Sequence, residues 1–249
     1  MSTLKLLKSL SGALSVGAVL LFGVLAPTWA APITKQLNVT VVRYCDTDGS
    51  NCASLGPLGN AYFAAETDKI WAQAGIDINF IFGSTINDTA FNNNKDSVDD
   101  FTGATGGPGV TMYLVNDLVS GGTLFGEAWI DAGGLVINMS AVTAFNGGIG
   151  RLDTIAHEIG HNLGITHADA SSNDELMLAG ATRNIPNSIG QICPDAPCYD
   201  FLTQVQINDA FDSRLLVNFT PEVPEPGSLA LVGLALLGLT RIARGRRSV

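Results

Sequence analysis

All three histidines of this 249-residue chain fall within one run of eleven, His157-Glu158-Ile159-Gly160-His161-Asn162-Leu163-Gly164-Ile165-Thr166-His167. The run dictates backbone. Residues four apart share a helix face, so His157 and His161 project side by side, with Glu158 one position round the cylinder. A straight helix would carry residue 167 past that face, so the chain must stop after Leu163 and turn. Gly164 supplies the turn, because a residue without Cβ enters the left-handed conformation that ends helices. His167 then returns to the same point. Three neutral imidazoles suit a zinc ion whose fourth tetrahedral position is left to water, and Glu158 stands where it can take that water's proton. The residues thus read as one zinc ion held by His157, His161 and His167, with Glu158 as catalytic general base.

The pattern H-E-x-x-H-x-x-G-x-x-H is the signature of the metzincin zinc metalloproteases, and the chain resembles that family, its matrixin-like members in particular. The family carries a methionine turn beneath the metal. Met177, within Leu176-Met177-Leu178, follows His167 at a similar distance and in a similar context. Ala168 stands where matrixins place serine, and Ala179 stands where astacins and serralysins carry a tyrosine. No Arg-Cys-Gly run of the matrixin propeptide type precedes the motif.

The resemblance implies a zinc endopeptidase of the α+β class. Its α/β-like upper subdomain would hold a twisted five-stranded mixed sheet with two long helices, and a small lower subdomain would follow the zinc motif. It also implies that a peptide substrate lies extended along the edge strand of the sheet. The candidate strand is Phe125, Gly126, Glu127, Ala128, Trp129 and Ile130. Two rival readings are a surface or matrix protein with a non-catalytic zinc site and a hydrolase of a non-peptide bond. The intact Glu158 argues against the first, since a structural site needs no base and is normally closed by a fourth protein ligand.

Both ends of the chain look like addresses. Residues 1–30 have the form of a secretory signal peptide: Lys5 and Lys8, an apolar run from Ala13 to Ala26, and Thr28-Trp29-Ala30 before Ala31. At the other end, Val223-Pro224-Glu225-Pro226-Gly227-Ser228 precedes an apolar run from Leu229 to Leu239 and then Arg241, Arg244, Arg246 and Arg247. Residues 221–249 resemble the PEP-CTERM sorting signal of Gram-negative bacteria, which implies export, an exosortase-type processing enzyme as partner and release to the cell surface or extracellular matrix. The apolar run is read as a transient inner-membrane anchor, a transmembrane helix on the short side of the roughly 20 residues that span a bilayer. The basic cluster should hold its end in the cytoplasm.

Residues 31–220 suit one peptidase domain, with an upper part to about residue 164 and a lower part over 165–220. They carry 7 basic residues against 21 acidic ones, which leaves no basic patch for nucleic acid. Four cysteines in two close pairs, Cys45 with Cys52 and Cys193 with Cys198, read as two local disulfides in an exported chain. Between the first pair, Asp46-Thr47-Asp48-Gly49-Ser50-Asn51 is similar to the start of a calcium loop but lacks a downstream bidentate glutamate. A disulfide-closed turn explains the same residues, and both readings stay open.

Periodicity supplies the elements. Strands are expected at Leu37–Arg43, Asp77–Phe82, Val110–Val115, Phe125–Ile130 and Leu135–Met139. An amphipathic helix is expected over Asn60–Ala74, the metal helix over Leu152–Leu163 and one further helix within Leu202–Leu215. The segment Gly83–Gly109, rich in Asn, Asp and Gly, reads as an exposed insertion.

Overall fold

Alternation places Leu37, Val39 and Val41 on one face of the first strand, and all three are fully buried. The computed structural model describes residues 31–101, 107–119, 124–180 and 182–220, and in it this strand is β1, Lys35–Cys45. It is longer than its alternating stretch because β2, Ile76–Asn87, pairs with it in parallel along its whole length. On its other side β1 pairs in parallel with β3, Val110–Val115, and β3 in turn with β5, Leu135–Asn138. β4, Gly126–Ala128, is antiparallel to β5 and forms the far edge, so the order is β2-β1-β3-β5-β4. The expected five-stranded mixed sheet is therefore present. A short β6, Val217–Asn218, adds to it by pairing antiparallel with Lys35 and Gln36.

Both faces of the central strands are covered. Met112, Leu114, Leu135 and Ile137 point to the larger core with Trp71, Ile155, Ile159 and Met177, while Tyr113, Val115 and Val136 point to a smaller one. That is why β3 and β5 read as near-continuous apolar runs. The helices on the larger core are α1, Ala64–Trp71, and α4, Thr154–Asn162.

Several expectations are corrected. Gly83–Gly109 is not simply an exposed insertion: β2 continues to Asn87, and α2, Thr89–Asn93, and a turn at Val98–Asp100 follow. Phe91 and Phe101 from this segment pack on Tyr44 and Tyr113, with the Phe101 and Tyr113 rings stacked at 4.9 Å. Its polar residues serve as caps and ties. Asp88 accepts from the backbone N–H groups of Ala90 and Phe91, and fully buried Asn92 donates to Asp46 and to the Asn51 carbonyl. A few aromatics suffice to cover a sheet face, and average composition hides them.

The two helices expected to be long are short, 8 residues for α1 and 9 for α4. Within Asn60–Ala74, Tyr62 and Phe63 take positive φ of 60° and 49°, and the last three residues tighten to a 3-10 turn. The predicted edge strand is also shorter: Trp129 and Ile130 leave it for a turn at Asp131, where φ is 52°. Unpredicted is α3, Met139–Gly148, capped by Asn138 and broken at Phe145–Gly147; its Asn- and Gly-rich end weakens the helical period. The last helix, α5, spans Gln204–Phe211 behind a Thr203/Gln206 capping box.

Both cysteine pairs are joined, Cys45 to Cys52 and Cys193 to Cys198. In the first loop Asp46 accepts from the Asn92 and Asn93 side chains and Asp48 from Ser50. Among the described residues no helix is long and apolar enough to cross a membrane. The expected leader, residues 1–30, and the sorting segment with its anchor, residues 221–249, lie outside the described residues.

Candidate metal centre

Helix α4 ends as its glycine requires. Gly164 has φ of +97°, its N–H donates to the His161 carbonyl and the Ile165 N–H donates to the Gly160 carbonyl. This pair of bonds is the Schellman arrangement that reverses a chain after a helix. The reversal brings His167 back. His157 Nε2 and His161 Nε2 lie 3.1 and 3.2 Å from His167 Nε2. An ion about 2.05 Å from each nitrogen of a tetrahedral set separates those nitrogens by roughly 3.3 Å, so the three atoms fit zinc.

Hydrogen bonds fix which nitrogen faces inward. His157 Nδ1 sits 2.6 Å from the Leu176 carbonyl and His161 Nδ1 sits 2.8 Å from the Ile165 carbonyl. A carbonyl only accepts, so the His161 proton belongs on Nδ1 and its Nε2 presents a lone pair, while His157 Nδ1 is held between the Leu176 carbonyl and Arg183 Nη1 and its Nε2 faces His167. Burial holds all three imidazoles below the usual histidine range, and the Arg183 charge pushes His157 and His167 further down. They are thus held toward the neutral form, the one in which an imidazole can bind a metal. Among the described residues this is the one cluster of three or more candidate ligand side chains.

Met177 is fully buried beneath α4. Its sulfur occupies the space a Cβ at Gly160 would need, so the glycine between the helical histidines is a packing requirement. Glu158 is 7% exposed and lies against the backbone of β4, where a Cβ at Gly126 would stand 2.9 Å from its Cγ. Over the histidines opens a cavity of about 730 Å³, walled on one side by Phe125, Gly126, Glu127 and Ala128 and reaching Ile130. Trp129 is directed elsewhere, its Nε1 donating to Asp99. The turn after β4 is bolted to the metal helix: buried Asn162 Nδ2 lies 3.0, 2.7 and 2.7 Å from the carbonyls of Trp129, Ala132 and Gly134.

Sequence reasoning missed a second layer. Arg183 Nη2 pairs with Asp153 Oδ2 at 2.6 Å, in side chains 1% and 0% exposed, and its Nη1 donates to the Leu176 carbonyl beside His157. Asp153 precedes α4 and Leu176 precedes Met177, so one guanidinium ties the helix start to the segment that carries Met177. Asp200 is fully buried nearby; burial and then the Asp153 charge raise its carboxyl well above the usual range. The one available signal was scarcity, since arginines in so acidic a stretch have many partners to choose from.

Glu158 has a measurable signature. Burial pushes its carboxyl up to about 8, partly offset by Arg183. In zinc-free protein the unfolded carboxyl ionises near the ordinary glutamate value and the folded one does not, so stability falls as pH rises from there through about 8. Chemical denaturation of zinc-free protein should show wild type losing on the order of 3–4 kcal/mol between about pH 5 and 8 that Glu158→Gln retains. Parallel pH profiles for the two proteins would contradict the assignment.

Comparison with known proteins adds the following. Residues 222–247 match the family described as the PEP-CTERM protein-sorting motif. No curated protein matches the chain. Among solved structures, archaemetzincin from Methanopyrus kandleri is similar over 71% of this chain and 94% of its own, at 9% identity and a TM-score of 0.39. Metalloproteinase-II from Bacteroides fragilis is similar over 75% of this chain and 55% of its own, at 16% identity and a TM-score of 0.42. A structure described as a chaperone–substrate complex is similar over 73% of this chain and 34% of its own, at 13% identity and a TM-score of 0.42. At these TM-scores the likenesses establish neither fold nor activity.

Proposed function

We propose that the chain is an exported, zinc-dependent endopeptidase of metzincin type that cuts peptide bonds with Glu158 as general base. The observation that carries the reading is the convergence of three Nε2 atoms beside a buried carboxylate, on the floor of a cavity walled by a sheet edge. His157, His161 and His167 would hold the ion. Bound zinc would supply Lewis acidity, making a water acidic and a carbonyl electrophilic near neutral pH. Glu158 would act in its ionised form, which a cation held by the three histidines would favour against the effect of burial. The carboxylate then takes a proton from the attacking water and passes it to the leaving amine.

Among the described residues β4, Gly126–Ala128, is the last strand of the sheet and would offer its outer side to an extended peptide, while Asn162 holds the turn that follows it. Met177 supports the helix that bears two of the ligands. The sorting motif supports export from a Gram-negative cell, processing by an exosortase-type enzyme and display at the surface or in the matrix, after transient anchoring at the inner membrane.

Incubation of the purified chain with denatured protein and a peptide library tests the reading. Cleavage within chains is expected, lost on chelation and restored by zinc. Tight zinc binding without cleavage of any peptide would overturn it in favour of a non-catalytic site.

A further inference from the structure

Residues 31–220 hold 7 basic side chains, and two of these, Arg151 and Arg183, line the cavity over the histidines. The other five are engaged elsewhere: Lys35 with Asn218, Arg43 with the Ala53 carbonyl, Lys69 with Asp195, Lys95 with Asp100 and Arg214 with Asp131. Arg183 is spent on Asp153 and the Leu176 carbonyl. Arg151 is less fully engaged: its Nε is ion-paired with Asp153 Oδ1 at 3.5 Å, and its Nη2 reaches the Gly180 carbonyl at 3.4 Å, the far limit for a hydrogen bond. The guanidinium carbon sits 4.4 Å from the centre of the Phe125 ring and 5.8 Å from that of Phe145. Gly180 leaves it room, for a Cβ there would stand 2.6 Å from Nη2. A planar cation seated on aromatic walls with N–H donors to spare is built to take a carboxylate.

We infer that Arg151 determines specificity by receiving a carboxylate of the peptide on the C-terminal side of the bond that is cut. The inference rests on the peptidase reading above. Of the two directions in which a peptide can pair with the edge strand, we take the antiparallel one, which runs against Gly126 to Ala128 and so puts the residues after the cut toward Phe125, the ring that carries Arg151. Glu127, which also lines the cavity, does not compete, because its Oε2 accepts from the Val98 N–H at 2.8 Å. Two sources present the group: an Asp or Glu side chain, or the free C-terminus of a short peptide.

Zinc-loaded wild type is therefore assayed with paired peptides that differ only as Glu against Gln at successive positions after the cut, each with a free or an amidated terminus. The expected result is a kcat/KM preference of about tenfold to hundredfold for Glu at one position, or of similar size for the free terminus, which tells the sources apart. In Arg151→Gln the preference falls to parity, and Arg151→Lys keeps part of it, since an ammonium retains the charge without the planar fork. Parity for every pair in wild type overturns the inference and leaves the peptidase reading standing. No cleavage of any peptide overturns that reading and this inference with it. A readout without turnover comes from calorimetry on zinc-free protein: the preferred Glu peptide binds more tightly than its Gln twin to wild type but not to Arg151→Gln. Equal binding of the twins to wild type overturns the inference even if the variant fails to fold.

Discussion

Glu158→Gln is expected to lower kcat for peptide hydrolysis by about 10²–10⁴-fold while zinc affinity changes little. Glutamine has the same shape, so contact with the β4 backbone at Gly126 survives. None of the three Nε2 atoms is altered, and the Nδ1 bonds of His157 and His161 to backbone carbonyls do not involve position 158. What disappears is a group able to take a proton from water. The variant should therefore bind zinc in competition with a chromophoric chelator as wild type does, yet turn over too slowly for routine assay. Full activity would sink the mechanism. Zinc loss in parallel with activity would instead assign Glu158 to holding the site together. Stability supplies a cross-check, because the zinc-free variant should be the more stable of the two at pH 8, where the buried carboxyl of wild type is penalised.

Arg183→Gln should destabilise the fold by about 3–5 kcal/mol, since it removes one partner of a buried ion pair. Asp153 is fully buried and would keep only Arg151, 3.5 Å from its other oxygen. The Leu176 carbonyl would lose a donor in the same step, and Leu176 leads directly into the methionine beneath the metal helix. Weaker zinc binding should accompany the loss, because His157 Nδ1 depends on that carbonyl. Arg183→Lys is not a mild change, as one ammonium cannot serve Asp153 and Leu176 in two directions. Urea denaturation of zinc-free protein measures the cost. Asp153→Asn added to Arg183→Gln should recover part of it, because the carboxylate left unpaired is then gone. A cost below about 1 kcal/mol would show that the pair does not brace the site.

Legibility followed from how local each feature is. The helix between Asp153 and Leu163 and its glycine stop were plain, since spacing and residue type act within eleven residues. β3 was read over its full extent because Val110–Val115 is bounded by residues that break a strand. The cysteine pairs were also local, at separations of 7 and 5. Segment Gly83–Gly109 is exposed over most of its described residues, as read; its few buried anchors were missed because they pack on Tyr44 and Tyr113, residues of other strands that no window on the segment contains. The edge strand was overextended for a related reason: Asn162, from the metal helix, gathers the carbonyls that turn the chain away after Ala128.

The sequence by itself determined the histidine cluster, the glutamate beside it and the reversal that unites them, because a helix has a fixed period and glycine tolerates positive φ. Tertiary structure decided the rest. Which histidine nitrogen faces inward depends on two carbonyls, one of them nineteen residues from its partner, and the bracing of that carbonyl depends on an arginine seven residues further on. How closely Glu158 seats against the edge strand depends on a glycine there. These are contacts between segments whose separation is set by packing, and packing has no period to read.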